Sequence, residues 1–420
     1  MSEAASPAVG RRFRRQFLLG PRAPEGLDGW PRWRVGARHL ASHPDLPVHQ
    51  AACGDTQLTL LGYVVDPGRP DAGDREILEG WAARADAGEA PADLVHPVAG
   101  RFALVVCGPR GDSILQDAAG FRTVVHTVGR SEGTWCATDT PLLAEQLGLE
   151  EDPRQRKLWI RASYRTIPWL PLRETLHRGT RALIPNHALD LGDETQHRFW
   201  PVRRREPRDP DAVVEEAADW IRRIVTAGHR RFPLALGVTA GIDSRVVLAA
   251  CREFREEVLY FTFCRHRERE ADREDVQIPA QMLGRFGLPH HVFHCDRPDD
   301  PELAADFVAS VSNPSEHRLD QVRDLDHYLA PDCVRLSGHF GETARSMFSA
   351  RVDRSPRSLA RRFYKGTVPA AIPVIRPWFE EARATAERFD YTVRDLHYWE
   401  SRAGRWAASS QNQYDLARET

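Results

Sequence analysis

The chain has 420 residues and a mass of 47.5 kDa; that length suggests two domains or three small ones and is ample for real cores. Hydrophobic residues make up 41% and charged residues 28%, with a mean hydropathy of −0.49, values that exclude a disordered or membrane-embedded chain. With 58 basic and 60 acidic side chains the net charge is −2, so no general field draws in nucleic acid or an anionic membrane.

Lysine occurs only at Lys157 and Lys365, an arginine bias that reads as a GC-rich genome and not as phosphate binding. The seven cysteines are scattered and form no CxxC pair. They read as buried thiols in a reducing cytoplasm, not as a disulfide frame or a zinc site. No segment is long enough to cross a bilayer. Arg14-Arg15 followed by Phe17-Leu18-Leu19 imitates a twin-arginine export signal, but Gly20, Pro21, Arg22, Pro24 and Glu25 break the apolar run. The expected location is the cytoplasm.

In chain order, short β-branched and aromatic runs come first: Leu58–Asp66, Phe102–Gly108, Ser113–Asp117, Thr123–Val128 and Thr134–Thr138. Glycine and proline turns separate them, and helical stretches lie at Asp74–Ala87 and Thr140–Leu147. An α+β layered domain is predicted over residues 1–200. Residues 201–211 (PVRRREPRDPD) are charged and aperiodic and read as a linker. Asp209-Pro210 then supplies a cap and a first-turn proline. The helix that follows carries Val213, Ala217, Trp220, Ile221, Ile224 and Val225 on one face.

From there the pattern alternates. Apolar runs at Leu234–Val238, Val258–Phe263, His290–His294 and Cys333–Ser337 are separated by helices at Ser244–Phe254, Ala271–Phe286, Glu302–Val311 and Leu319–Leu329. Alternation of this kind predicts an α/β domain over 212–420 with a parallel sheet covered on both faces. Ligands on such a sheet bind beyond the carboxyl ends of its strands. In the tail, Arg383–Arg388 and Thr392–Ala417 read as helices, and Arg357–Pro377 is basic and punctuated by proline. The sequence ends at Thr420 in a polar helical stretch without a glycine cap, so the expectation is a frayed last helix or a chain that continues.

Thr239-Ala240-Gly241-Ile242-Asp243-Ser244 follows the first parallel strand and opens a helix. An open loop of this composition aims backbone N–H groups and a helix N-terminus at an anion. Asp243 would repel a bare phosphate and makes sense there only with a bridging cation such as Mg²⁺. The spacing is not that of a P-loop. It resembles the SGGxDS signature of the ATP-pyrophosphatase group, with Thr239 for Ser and Ala240 for the first Gly; Gly241, Asp243 and Ser244 match. The plain alternative is a capped strand-to-helix turn.

After the fourth strand, Ser337-Gly338-His339-Phe340-Gly341-Glu342 is similar to the SGxGxDE segment of asparagine synthetases, β-lactam synthetases and lasso-peptide cyclases. The resemblance implies that Ser337 and Gly338 back the adenosine of ATP, with Thr262 and Phe263 of the second strand. It also implies that Glu342, five residues after Ser337, shares Mg²⁺ with Asp243. Glu342 departs from the usual Asp, and its longer reach would be absorbed through water. His339 is either a hydrogen-bonded loop histidine or a base for an attacking amine.

The likeness extends backwards. Gly100-Arg101-Phe102 and Gln116-Asp117-Ala118-Ala119-Gly120-Phe121-Arg122 resemble the class II glutamine amidotransferase domain, as do Leu183–His187 and Arg198-Phe199-Trp200. The implied architecture is an Ntn-like α+β layered domain followed by an ATP-pyrophosphatase (adenine nucleotide alpha hydrolase-like) domain. A nucleophilic cysteine near the amino terminus is missing, since Met1-Ser2-Glu3-Ala4 opens the chain and Cys53 is the first cysteine. Glutamine hydrolysis is therefore not expected. The family also uses a late lysine. Lys365 sits too early to match it, whereas Glu400, Arg402 and Arg405 resemble the helix that lines the acceptor site, or else form an amphipathic surface helix. The mixed-sign stretch Arg265–Arg273 reads as solvated surface with a lid as the alternative. His290, His291 and His294 lack partners at zinc-ligand spacing.

The implied activity is ATP-dependent amide formation through an acyl-adenylate. The implied cofactors are ATP and Mg²⁺, and the partners are a small-molecule or peptide carboxylate and an amine, in specialised biosynthesis. The alternatives are an ammonia-dependent asparagine synthetase and a catalytically silent ATP-binding partner protein.

Overall fold

The computed structural model describes residues 10–165, 169–264, 270–339, 341–344, 348–364 and 368–417. Arg265 to Arg269 of the lid stretch and Lys365 lie outside them.

Twelve strands of the amino half form two antiparallel six-stranded sheets. They are β1 (Phe17–Gly20), β2 (Arg32–Val35), β3 (Arg38–Ser42), β4 (Val48–Cys53), β5 (Thr56–Val65), β6 (Ala99–Cys107), β7 (Ser113–Gln116), β8 (Val125–Thr127), β9 (Cys136–Ala137), β10 (Thr180–Ala182), β11 (His187–Asp190) and β12 (Gln196–Arg198). One sheet has the order β10-β8-β9-β1-β3-β2, the other β12-β11-β7-β6-β5-β4. Alternation along the strands decides the layering. In β6, Ala103, Val105 and Cys107 face Phe17 and Leu19 of β1, so the two sheets pack face to face. Phe102, Leu104 and Val106 point the other way, onto Ile77, Leu78 and Trp81 of the Asp74–Asp86 helix. On the far side, Leu18 and Ala137 meet Leu142 and Leu143 of the Thr140–Leu147 helix. The result is a helix–sheet–sheet–helix sandwich.

Gly100, second residue of β6, stands at φ +128°, and a β-carbon there would come within 2.4 Å of the Tyr63 carbonyl. Only glycine allows β5 and β6 to approach so closely at that point.

Residues 201–209 are irregular, and Asp209 caps the Pro210–Arg231 helix by accepting from the Ala212 amide at 3.1 Å. The expected apolar face is only half used: Val213 is 38% exposed whereas Val225 is buried. The first half of that helix stands clear of the body, and only the part beyond Trp220 packs.

The carboxyl half holds β13 (Leu234–Gly237), β14 (Val258–Phe263), β15 (His291–Phe293) and β16 (Val334–Leu336). All pairs are parallel, in the order β15-β14-β13-β16. Both faces are covered. Ala235, Phe261 and Phe293 meet the Pro301–Ser310 and Glu316–Tyr328 helices. Leu234, Leu236 and Tyr260 meet Val225, Leu248 and Leu283 on the opposite side. The run of consecutive apolar residues in β13 follows from that double burial.

The tail differs from expectation. One helix runs over Val368–Phe389, through Pro373 and Pro377. Each proline removes an interior hydrogen-bond donor. Burial of Ala371, Ile375, Trp378, Phe379 and Ala382 against Trp169, Ile184, Leu359 and Phe363 outweighs that loss. Tyr398–Ala407 is wound wide, as a π-helix, a form that often marks functional sites.

Candidate active site

β13 ends at Gly237, and Val238–Gly241 turn into the Ile242–Ala250 helix with Gly241 as its cap residue. The turn is knitted internally. The Thr239 amide donates to Ser244 Oγ at 3.1 Å, and that hydroxyl lies 3.3 and 3.2 Å from the carbonyls of Thr239 and Gly241. The Gly241 amide donates to Thr239 Oγ1 at 3.2 Å. The Ala240 amide donates to Asp275 Oδ1 at 3.0 Å, so a carboxylate already sits on one amide of a loop suited to anions.

The second turn closes directly onto the first. A β-carbon on Gly338 would lie 2.4 Å from the Ser244 amide nitrogen, and one on Gly341 would lie 2.3 Å from Asp243 Oδ1. Two segments about a hundred residues apart thus meet at backbone distance, and glycine at 338 and 341 is what permits it.

The meeting forms a cleft of about 420 Å³ at the carboxyl ends of β13, β14 and β16, a size typical of small-molecule sites. Thr239, Gly241, Asp243 and Ser244 line it from the first turn. Ser337, Gly338, His339 and Glu342 line it from the second, and Thr262 and Phe263 from β14. All ten of these residues share this one space. Ser244 and Thr262 tie the local backbone together. Ser244 is buried and holds the loop together. Thr262 is buried, and its hydroxyl donates to the Val238 carbonyl at 2.6 Å and lies 2.8 Å from His290 Nε2.

Glu342 Oε2 accepts from the Tyr398 hydroxyl at 2.6 Å. Burial, and then the neighbouring Glu342, raise the Tyr398 phenol well above its ordinary pKa. The Arg402 guanidinium stacks 3.3 Å above the Trp406 ring. Burial lowers its pKa, while Glu342 and Tyr398 act against that. Of the three tail residues that suggested an acceptor-lining helix, only Arg402 faces the cleft. Glu400 turns away and is fully buried, accepting from Arg198 at 2.9 Å, Trp378 Nε1 at 2.7 Å and Asn186 at 3.2 Å. Arg405 is half-buried elsewhere and donates to the Glu174 carbonyl at 2.8 Å.

His339 is exposed to the open cleft yet walled by protein, and its Nδ1 is bonded to Ser337 Oγ. Its pKa falls to about 4, first through lost solvation and then through the charges of Arg335, Arg318 and Arg402; Asp243 opposes them. His339 is thus hydrogen-bonded in the loop and also faces the cleft.

Arg318 and Arg335 are residues that sequence reasoning missed. Arg318 donates to Gln321 Oε1 at 2.8 Å and to the Tyr414 hydroxyl. Arg335 stands 4.2 Å from the Tyr414 ring centroid. Their signal was positional: Arg335 lies in the last strand before the loop, and Arg318 in the first turn of a sheet-covering helix.

Two carboxylates without a third ligand make no protein cage, and no cluster of three ligating side chains occurs among the described residues. Such a pair does suit Mg²⁺, which keeps waters and binds through one or two carboxylates plus substrate phosphates. A separate space of about 50 Å³, lined by Asp139, Thr140, Arg405 and Asn412, has room for a few waters at most. It is no competitor for a substrate. A scan of protein-family models matches none to the chain, and no curated protein is significantly similar to it.

Proposed function

We propose that the chain is an ATP-dependent amide-forming ligase, an Ntn-like layered domain over 1–200 carrying an ATP-pyrophosphatase-type domain over 212–420. The observation that carries the reading is the contact of the two strand-end turns, Gly338 on Ser244 and Gly341 on Asp243. It sets Asp243 and Glu342 in the same cleft as a helix N-terminus.

In this reading a substrate carboxylate attacks the α-phosphorus of ATP, giving an acyl-adenylate and pyrophosphate. An amine then displaces AMP. Gly241 and the Ile242–Ala250 helix N-terminus hold pyrophosphate, with Thr239 and Ser244 shaping that turn. Ser337, Gly338 and Phe263 flank the nucleoside. Asp243 and Glu342 hold Mg²⁺, which neutralises charge on the phosphates when bound. Tyr398 orients Glu342. Arg402, held flat on Trp406, supplies a fixed cation where negative charge develops. His339, unprotonated at neutral pH, takes the proton from the amine, and bound phosphates would raise its basicity.

A catalytically silent ATP-binding role is the second reading. It is favoured by one observation: Asp275 occupies the Ala240 amide, where it competes with phosphate.

Exchange of labelled pyrophosphate into ATP, measured with a panel of carboxylic acids and Mg²⁺, separates the two. The ligase reading expects exchange that disappears in Asp243→Asn. Tight ATP binding without exchange for any acid would overturn it in favour of the silent role.

A further inference from the structure

The cleft does not end at the second turn. Arg335, Leu336, Ser337, His339 and Tyr414 are walls of both the cleft and an adjoining annex of about 210 Å³. The annex lies along β16, the edge strand of the parallel sheet, between that strand and the antiparallel layer. Its far walls are Tyr63, Val65 and Phe121 from the layer and Ile224, Val225 and Phe232 from the Pro210–Arg231 helix.

These walls are apolar and fixed. The Tyr63 and Phe232 rings pack at 5.1 Å. Arg231, beside Phe232, pairs with Asp74 at 2.7 Å across the seam. The charged residue on the far side, Arg101, is already neutralised: it holds both oxygens of Asp415 at 2.5 and 2.7 Å and donates to the Phe121 carbonyl at 3.1 Å. Among the described residues no acidic side chain lines the annex, so it offers nothing to an ammonium ion. Its other arginine, Arg335, lies on the wall shared with the cleft and packs on the Tyr414 ring, so a charged group placed deep among the far walls would lose water without a partner. An apolar space of about 150 Å³ accommodates a benzene ring; this one is somewhat larger.

Resting on the ligase reading, we infer that the annex is a specificity pocket for an uncharged hydrocarbon arm, phenyl-sized or a short alkyl chain, carried by one of the two substrates whose reacting group sits at His339. The substrates are then not both small and hydrophilic. Free ammonia with aspartate would leave the annex unused.

The arm can belong to the acid or to the amine, and the test separates them. Binding to the full chain is measured by ligand-observed NMR for two pairs of probes, 3-phenylpropanoate against acetate and 2-phenylethylamine against methylamine, with and without ATP and Mg²⁺. Each buried methylene is worth about fourfold, so one phenyl probe is expected to bind at least about tenfold tighter than its short counterpart. Ile224→Trp, which fills the annex, removes that gain. Phe121→Ala, which enlarges it, moves the preference to a longer arm, and opposite shifts in two variants are not a folding effect. Equal binding within both pairs, or a gain that survives Ile224→Trp, overturns the inference. A gain lost in Ile224→Trp, in a protein that supports no pyrophosphate exchange with any acid, keeps the annex and sinks the ligase reading alone.

Discussion

Gly338 rests on Ser244 so closely that a β-carbon would stand 2.4 Å from its amide nitrogen. The obstacle is backbone, which cannot swing aside like a side chain. Gly338→Ala is therefore expected to push the two turns apart. Overpacking of this kind costs about 1–3 kcal/mol, and a displacement of about 1 Å at a reacting centre costs about 100-fold in rate. Melting temperature and pyrophosphate exchange, measured side by side, check this: a folded protein with near-normal exchange would contradict it.

The carboxylate pair gives a graded series. Asp243→Asn and Glu342→Gln are each expected to lower Mg²⁺-dependent exchange about 100-fold or more. Tyr398→Phe removes only the hydrogen bond that orients Glu342 and should cost about tenfold. Raising Mg²⁺ should partly restore Tyr398→Phe and do little for Asp243→Asn. A Mg²⁺ titration of the three variants reads the difference.

Asp415 is the anchor between the tail and the antiparallel layer. Its side chain is 1% exposed and faces Arg101 and Arg122. Burial already lowers the Arg122 pKa to about 10, against the pull of Asp415. Asp415→Asn leaves two guanidinium groups with only the more distant charge of Asp117 to oppose them, and is expected to destabilise the protein by about 3 kcal/mol. Urea unfolding measures it, and a loss under about 1 kcal/mol would count against the anchoring role.

Acid should loosen the fold well above the pKa range of carboxylates. Burial lowers His126 to about 4 and His397 to about 3, both below the unfolded value of about 6.5. The unfolded chain then binds more protons below pH 6.5, so stability is full above that pH and falls as pH drops toward 4. His397 packs against Phe363 and Trp378. His397→Leu is expected to flatten the slope between pH 6.5 and 4, as followed by thermal unfolding at stepped pH.

The parallel sheet was legible because its strands are buried on both faces and read as unbroken apolar runs; Val258–Phe263 coincides with its prediction. The amino half was read less fully. Arg32–Val35 and Val48–Cys53 lie at sheet edges with few buried positions, so periodicity gave no signal there. The long helix through Pro373 and Pro377 was hidden by a local rule that tertiary burial overrode.

At the site, local motifs marked the two turns, because their glycines and carboxylates are needed where they stand in the chain. Asp275, Arg318, Tyr398 and Tyr414 reach the cleft from helices remote in sequence. Apart from Arg318, in the first turn of a sheet-covering helix, nothing in their own neighbourhoods distinguishes them from ordinary surface or core residues. Conversely, Glu400 looked like a site residue because its stretch resembles an acceptor-lining helix; the turn of that helix sends it into the seam.

The cleft is finished by residues that follow its sheet in the chain. Tyr398, Arg402 and Tyr414 all come after β16, and Arg15 grips the Ala417 carbonyl at 2.8 Å. During synthesis the amino end folds first, so a nascent chain halted just past the second turn would own both glycine turns but neither Arg402 nor the phenols that wall them. Assembly of this protein on the ribosome thus keeps its cleft incomplete until translation has passed residue 414.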